Sequence, residues 1–212
     1  MAARIMVFGG TFDPVHIGHV QIARALGRGV GAERILLVPT GVNPLKSPPV
    51  ASGEDRLAML KLAVRGDDLF EISELELNRR PPIYTMDTIE ALHQKYGPET
   101  TLYLAMGADM LADLPRWHRA ADLLRQVHLA VACRPPVNLP GVEKALSDLA
   151  GVMKARGLAE IHAQAVPTPM LEIASSDIRN RLAKGLPVES FVQKDVMKYI
   201  REKGFYGGMA AL

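Results

Sequence analysis

The chain has 212 residues, 48% hydrophobic and 23% charged, and its 25 basic against 23 acidic side chains leave a formal charge of +2. That balance gives no electrostatic case for nucleic-acid binding, and no apolar stretch approaches the ~20 residues that a membrane helix needs. The single cysteine, Cys133, excludes an internal disulfide and fits a reducing compartment.

The residues before Arg4 lead directly into an apolar run, so the expectation is no signal peptide and a cytoplasmic protein. Arg4–Phe8 reads as a buried strand, followed by a glycine turn and a helix that runs from the histidines at 16 and 19 through about Arg28. Arg34–Pro39 is a second apolar strand. Ser52-Gly53-Glu54-Asp55 has the form of a capping box, opening a helix through about Val64. Leu69–Ser73 reads as a strand, and Tyr84–Tyr96 is amphipathic, with Ile89, Leu92 and Tyr96 at helical spacing. Thr101–Met106, Val127–Cys133 and Ile161–Val166 read as further strands, and Val142–Lys154, Ser176–Lys184 and Glu189–Lys203 as helices. Pro44–Pro49 and Pro135–Pro140 are expected surface loops. Strands alternating with helices imply βαβ units. The expected fold is α/β: a Rossmann-like, doubly wound, mainly parallel sheet with helices on both faces and a small helical part at the C-terminal end. Residues 1–212 form one expected domain, large enough for a single core that buries roughly 70% of its unfolded surface.

Gly9-Gly10-Thr11-Phe12-Asp13-Pro14-Val15-His16-Ile17-Gly18-His19 carries the strongest chemical signal. It places two glycines after a strand and two imidazoles at the start of a helix, where free N–H groups and the helix dipole attract anions. The imidazoles suit hydrogen-bond donation to phosphate oxygens on which charge grows during transfer. Zinc binding by His-x-x-His and a plain helix start are the alternatives. No Walker G-x-x-x-x-G-K-[ST] loop is present, and Gly27–Gly31 follows a helix rather than a strand, which rules it out as a dinucleotide fingerprint.

A second signal is Ile173-Ala174-Ser175-Ser176-Asp177-Ile178-Arg179. Its serines would cap the helix that follows. Arg179 would fall in the first turn, where the dipole disfavours a cation. That conflict points to anion binding. The two segments together read as two cationic phosphate cradles.

Gly9–His19 and Ile173–Arg179 resemble the paired motifs of the nucleotidyltransferase superfamily with the HIGH-type motif. Within it the chain is similar to the bacterial nicotinate-nucleotide adenylyltransferases. Further matching points are Pro39–Lys46, Tyr84-Thr85-Met86-Asp87-Thr88, Gly107-Ala108-Asp109, Trp117 and Cys133-Arg134-Pro135. Departures are Leu45 where the family has a histidine, Ala174 for a serine, Ser176 for a threonine and His118 for a frequent tyrosine.

The resemblance implies adenylyl transfer from ATP to nicotinate mononucleotide, giving deamido-NAD and pyrophosphate. It assigns His16, His19, Lys46 and Arg179 to catalysis. Gly9, Gly10, Thr11, Phe12, Gly18, Gly107, Asp109, Arg134, Ser175 and Ser176 would contact ATP. Thr85, Trp117 and His118 would hold the pyridine, with backbone N–H groups near Trp117 and His118 on its carboxylate. For Asp109 the plain alternative is a helix N-cap. Mg²⁺ would arrive with ATP, with no dedicated metal site. The expected partners are the two nucleotides, without nucleic acid or membrane, and a homo-oligomer is left open. Nicotinamide mononucleotide or phosphopantetheine as acceptor, or a non-catalytic nucleotide-binding protein, are the competing readings.

Overall fold

The computed structural model describes residues 3–41, 48–133, 138–169 and 173–207. It contains β1 (Arg4–Gly10), α1 (Ile17–Gly29), β2 (Arg34–Pro39), α2 (Gly53–Ala63), β3 (Phe70–Ile72), α3 (Thr85–Tyr96), β4 (Thr101–Gly107), α4 (Ala120–Gln126), β5 (Val127–Cys133), α5 (Leu139–Lys154), β6 (Ala163–Pro167), α6 (Ser175–Ala183) and α7 (Lys194–Lys203). The strands form one sheet in the order β3-β2-β1-β4-β5-β6, the doubly wound order in which the chain reverses direction across the sheet after β3. Pairing is parallel from β1 through β4 and β5 to β6, with Ile5 opposite Leu102, Leu104 opposite Leu129 and Val131 opposite Ala165. The expected α/β fold is therefore present. No described helix is long and apolar enough to cross a membrane.

The chain divides into two compact units. One holds β1 as far as Phe8, Ile22–Leu36, and the chain from Ile83 through β6. Its core includes Met6, Ile35, Ile89, Leu92, Leu102 and Leu129, all at most 1% exposed. The other holds Gly9–Gln21, Leu37–Pro82, and the C-terminal helices. Here α7 turns Val196, Met197 and Ile200 inward, and α2 packs against it.

Several boundaries differ from the sequence reading for identifiable reasons. α5 starts at Leu139, because Asn138 accepts the Gly141 N–H at 3.0 Å and Pro140 sits in the first turn, where its missing N–H costs nothing. Proline there opens a helix instead of extending a loop. α7 starts at Lys194, with Gln193 as its N-cap. The preceding stretch forms turns, and the Phe191 carbonyl accepts the Ile17 N–H at 2.9 Å. β6 runs from Ala163 to Pro167, two residues later than expected at its start. α4 was not expected at all; it has seven residues and follows Arg119 in the left-handed region at φ 51°. β4 alternates buried and half-buried positions, so it is not a uniformly covered apolar run. The Ser52 cap is as expected: its hydroxyl accepts the Asp55 N–H at 3.1 Å.

Candidate active site

The phosphate-type turn lies in the second unit. β1 ends at Gly10, and α1 begins at Ile17. A Cβ on Gly10 would lie 2.9 Å from the tip of the Phe12 ring, so glycine makes room for that ring. Phe12 adopts a left-handed backbone, φ 53°, and its buried ring meets His19 edge to face with centroids 5.0 Å apart. An aromatic edge against a second ring fixes the ring it touches. Phe12 therefore orients His19 from within the protein.

The two histidines form a reciprocal cap. His16 Nδ1 accepts the His19 N–H, and His19 Nδ1 accepts the His16 N–H, each at 3.3 Å. This is the logic of a capping box, with imidazoles replacing the hydroxyl and carboxylate. The rings stack with centroids 3.7 Å apart and planes 28° apart. With each Nδ1 used as an acceptor, the ring proton is carried by Nε2. Among the described residues no group of three or more His, Cys, Asp or Glu side chains that could hold a metal ion includes these rings. His16 is 4% exposed, and burial lowers its pKa to about 4. It is neutral at pH 7, so the expected cationic cradle is corrected at this position: His16 offers a hydrogen-bond donor, not a charge. Gly18, between the two histidines in sequence, is buried.

Asp13 ties the turn to the rest of the unit, a role the sequence reading missed. It is 3% exposed. Its carboxylate accepts the N–H groups of Val50 at 2.8 Å and Ala51 at 3.0 Å and the Tyr206 hydroxyl at 2.6 Å. Arg179 Nη1 donates to the Asp13 carbonyl at 2.6 Å and lies 3.8 Å from Oδ2. Arg179 is thus held beside the first motif by that motif's backbone, but as the fifth of the nine residues of α6 it lies past the first turn, which corrects the expected clash with the helix dipole. Arg56 was also missed. It is 3% exposed, and its Nη1 donates to the Thr11 and Thr40 carbonyls at 2.8 Å each. Burial lowers its pKa, while Asp13 acts in the opposite direction. The Gly10 carbonyl accepts the Thr40 N–H at 2.9 Å, and Gly9 is exposed.

Ser175 and Ser176 occupy the first turn of α6, and Ala174 is the N-cap, without a side-chain cap. The capping expectation is corrected: the Ser175 hydroxyl donates to the Pro14 carbonyl at 2.9 Å, which joins the two motifs directly. Lys46 and Arg134, with Leu45, lie outside the described residues.

The residues expected to hold the pyridine lie in the first unit. Thr85 is the first residue of α3, after Tyr84 as N-cap. Trp117 follows the short 3₁₀ turn Leu114–Arg116 and is half-buried, not a core side chain. The Tyr84 and His118 rings stack with centroids 4.1 Å apart, which brings the start of α3 beside the tryptophan loop. Arg119 reinforces this contact by reaching Glu90 on α3 at 2.9 Å and Asp122 at 3.0 Å. The Trp117 N–H donates to the Leu114 carbonyl at 3.0 Å. Gly107 ends β4, and Asp109 sits inside the exposed 3₁₀ turn Ala108–Met110. It is not an N-cap.

A doubly wound sheet whose first strand turns through glycines into a histidine-capped helix defines a nucleotide-handling α/β protein of the nucleotidyltransferase class. The chain belongs to the cytidylyltransferase-like family, whose model matches residues 7–181, and within it to the nicotinate-nucleotide adenylyltransferases. It is 37% identical to a probable nicotinate-nucleotide adenylyltransferase of Pectobacterium atrosepticum, over 94% of this chain and 96% of that one. A relative with the same description from Sodalis glossinidius is also 37% identical, over 94% and 95% of the two chains. The fold is similar to that of the Plasmodium falciparum nicotinic acid mononucleotide adenylyltransferase complexed with NaAD, with a TM-score of 0.78 at 18% identity over 99% of this chain and 100% of that one. A putative nicotinate-nucleotide adenylyltransferase from Vibrio parahaemolyticus superposes with a TM-score of 0.65 at 18% identity, over 96% and 95%.

Proposed function

We propose that the chain transfers the adenylyl group of ATP to nicotinate mononucleotide, forming deamido-NAD and releasing pyrophosphate. The observation that supports this reading most is the reciprocal histidine cap at the end of the glycine turn, in which each Nδ1 accepts a backbone N–H and the ring proton is carried by Nε2. Curated relatives at 37% identity bear the name of that activity.

The chemistry needs little more than placement. An oxygen of the mononucleotide phosphate forms a bond to the α-phosphorus of ATP as the bond from that phosphorus to the β-bridging oxygen breaks. The nucleophile is already an anion, so no general base is needed, and the barrier lies in aligning and neutralising charged groups. His16 and His19 donate to phosphate oxygens. Gly9, Gly10, Gly18 and Thr11 offer backbone close to the phosphates, and Phe12 orients His19. Lys46 and Arg179 neutralise the departing β- and γ-phosphates. At the start of α6, Ser175 and Ser176 act through their backbone N–H groups, because helix-start donors lack internal partners. Gly107, Asp109 and Arg134 hold the adenosine side of ATP. Mg²⁺ comes as the ATP chelate, bound mainly by phosphate oxygens and water. Trp117 stacks on the pyridine, and Thr85 with the His118 N–H receives its carboxylate. We place this single nucleotidyltransferase domain in the cytoplasm.

Pyrophosphate release with ATP and each mononucleotide tests the assignment. The acid form should be turned over at least about tenfold more efficiently than the amide, a difference equivalent to about 1.4 kcal/mol. Equal efficiencies would remove the carboxylate contact. No pyrophosphate with either would favour a non-catalytic nucleotide-binding protein.

A further inference from the structure

Tyr206 has no part in the proposed chemistry, yet the fold goes to unusual lengths to place it. This side chain is 8% exposed, and its hydroxyl donates to Asp13 Oδ1 at 2.6 Å. α7 stops at Gly204, left-handed at φ 66°, and Tyr206 itself is left-handed at φ 59°. A residue with a Cβ keeps that conformation only when its surroundings over-determine it, and such positions cluster at working sites. A Cβ on Gly207 would lie 3.1 Å from the Ala183 Cα, so this turn rests against the end of α6, the helix that carries Arg179. Burial and the Asp13 carboxylate both push the phenol well above its usual range. It remains a proton donor at any working pH.

We infer that Tyr206 is a positioning residue for adenylyl transfer: its hydroxyl fixes the Asp13 carboxylate, and Asp13 sets where the Arg179 guanidinium stands. The inference rests on the adenylyl-transfer reading. Arg179 makes its short contact, 2.6 Å, to the Asp13 carbonyl, whereas its distance to Oδ2 is 3.8 Å. The Tyr206 hydroxyl and the Val50 and Ala51 N–H groups hold the carboxylate in that orientation. Without the hydroxyl, the carboxylate can turn toward Arg179 and close a full ion pair, and charge-assisted pairing of that kind competes with phosphate for the same cation. The tyrosine thus keeps Arg179 available to the nucleotide.

The test is Tyr206→Phe, which keeps the ring and removes only the hydroxyl, measured by pyrophosphate release per active site well below the melting temperature. The expected result is a fall in kcat of about tenfold, with KM for nicotinate mononucleotide changed by less than about twofold. The same exchange in an Arg179→Lys background should cost less than about twofold, because the residue it acts through is already altered. A merely structural tyrosine would lower the melting temperature and cost the same factor in both backgrounds. That result, or a kcat within twofold of the wild type, overturns the inference while leaving the functional reading intact. A wild-type enzyme that releases no pyrophosphate would instead overturn the functional reading, and this inference with it.

Discussion

Replacing His19 with alanine should lower kcat by about 10²–10³-fold, the usual cost of removing one transition-state hydrogen-bond donor. The stacked geometry supplies the reason. His19 Nδ1 accepts a backbone N–H from His16, which assigns the ring proton to Nε2, and the Phe12 edge holds the ring in place. The same replacement removes one half of the reciprocal cap and should lower stability by about 1 kcal/mol. The two losses are separable. Glutamine at the third helical position is the ordinary partner in a capping box, so His19→Gln should recover the stability but not the turnover. Urea unfolding and steady-state kinetics on both variants check this. Near-normal turnover in His19→Ala would remove its assigned role.

The second large effect is expected at Asp13. Asp13→Ala would leave the Tyr206 hydroxyl and the Val50 and Ala51 N–H groups without their acceptor. It would also leave the buried Arg56 guanidinium without the carboxylate that offsets its burial. Removing one partner from a buried charge arrangement costs about 3–5 kcal/mol. Against a total stability of roughly 5–15 kcal/mol, that should be visible as a large shift in the denaturant midpoint. Asp13→Asn keeps the shape and one acceptor oxygen, so its loss should be smaller. A shift below about 1 kcal/mol in the alanine variant would show that Asp13 is not the anchor of the turn.

What could be read from the sequence divides by distance along the chain. The glycine turn, the histidine spacing and the Ser52 cap are local, and residues three or four apart settle them. Parallel pairing followed from the alternation of apolar runs with helices. The Asp13 anchor was hidden because its partners are remote: Tyr206 lies 193 positions away and Arg179 166. Nothing in the spacing around Arg56 reveals that it binds the Thr11 and Thr40 carbonyls, 45 and 16 positions away. α4 was invisible for another reason: seven residues make too short a window for periodicity, and its start depends on a left-handed arginine. The serines of the second motif were read as caps because serine favours that position. Their true place, one residue further along, came from the Ser175 bond to Pro14. The charge state of His16 was likewise a matter of burial, which composition does not report.

The claim on which all of this depends is that the histidine-capped turn receives the triphosphate of ATP. A crystal structure with a non-hydrolysable ATP analogue measures it directly. The expected result is phosphate oxygens within about 3 Å of the Nε2 atoms of both His16 and His19. A triphosphate lodged elsewhere, with both rings still packed against protein, would contradict the account.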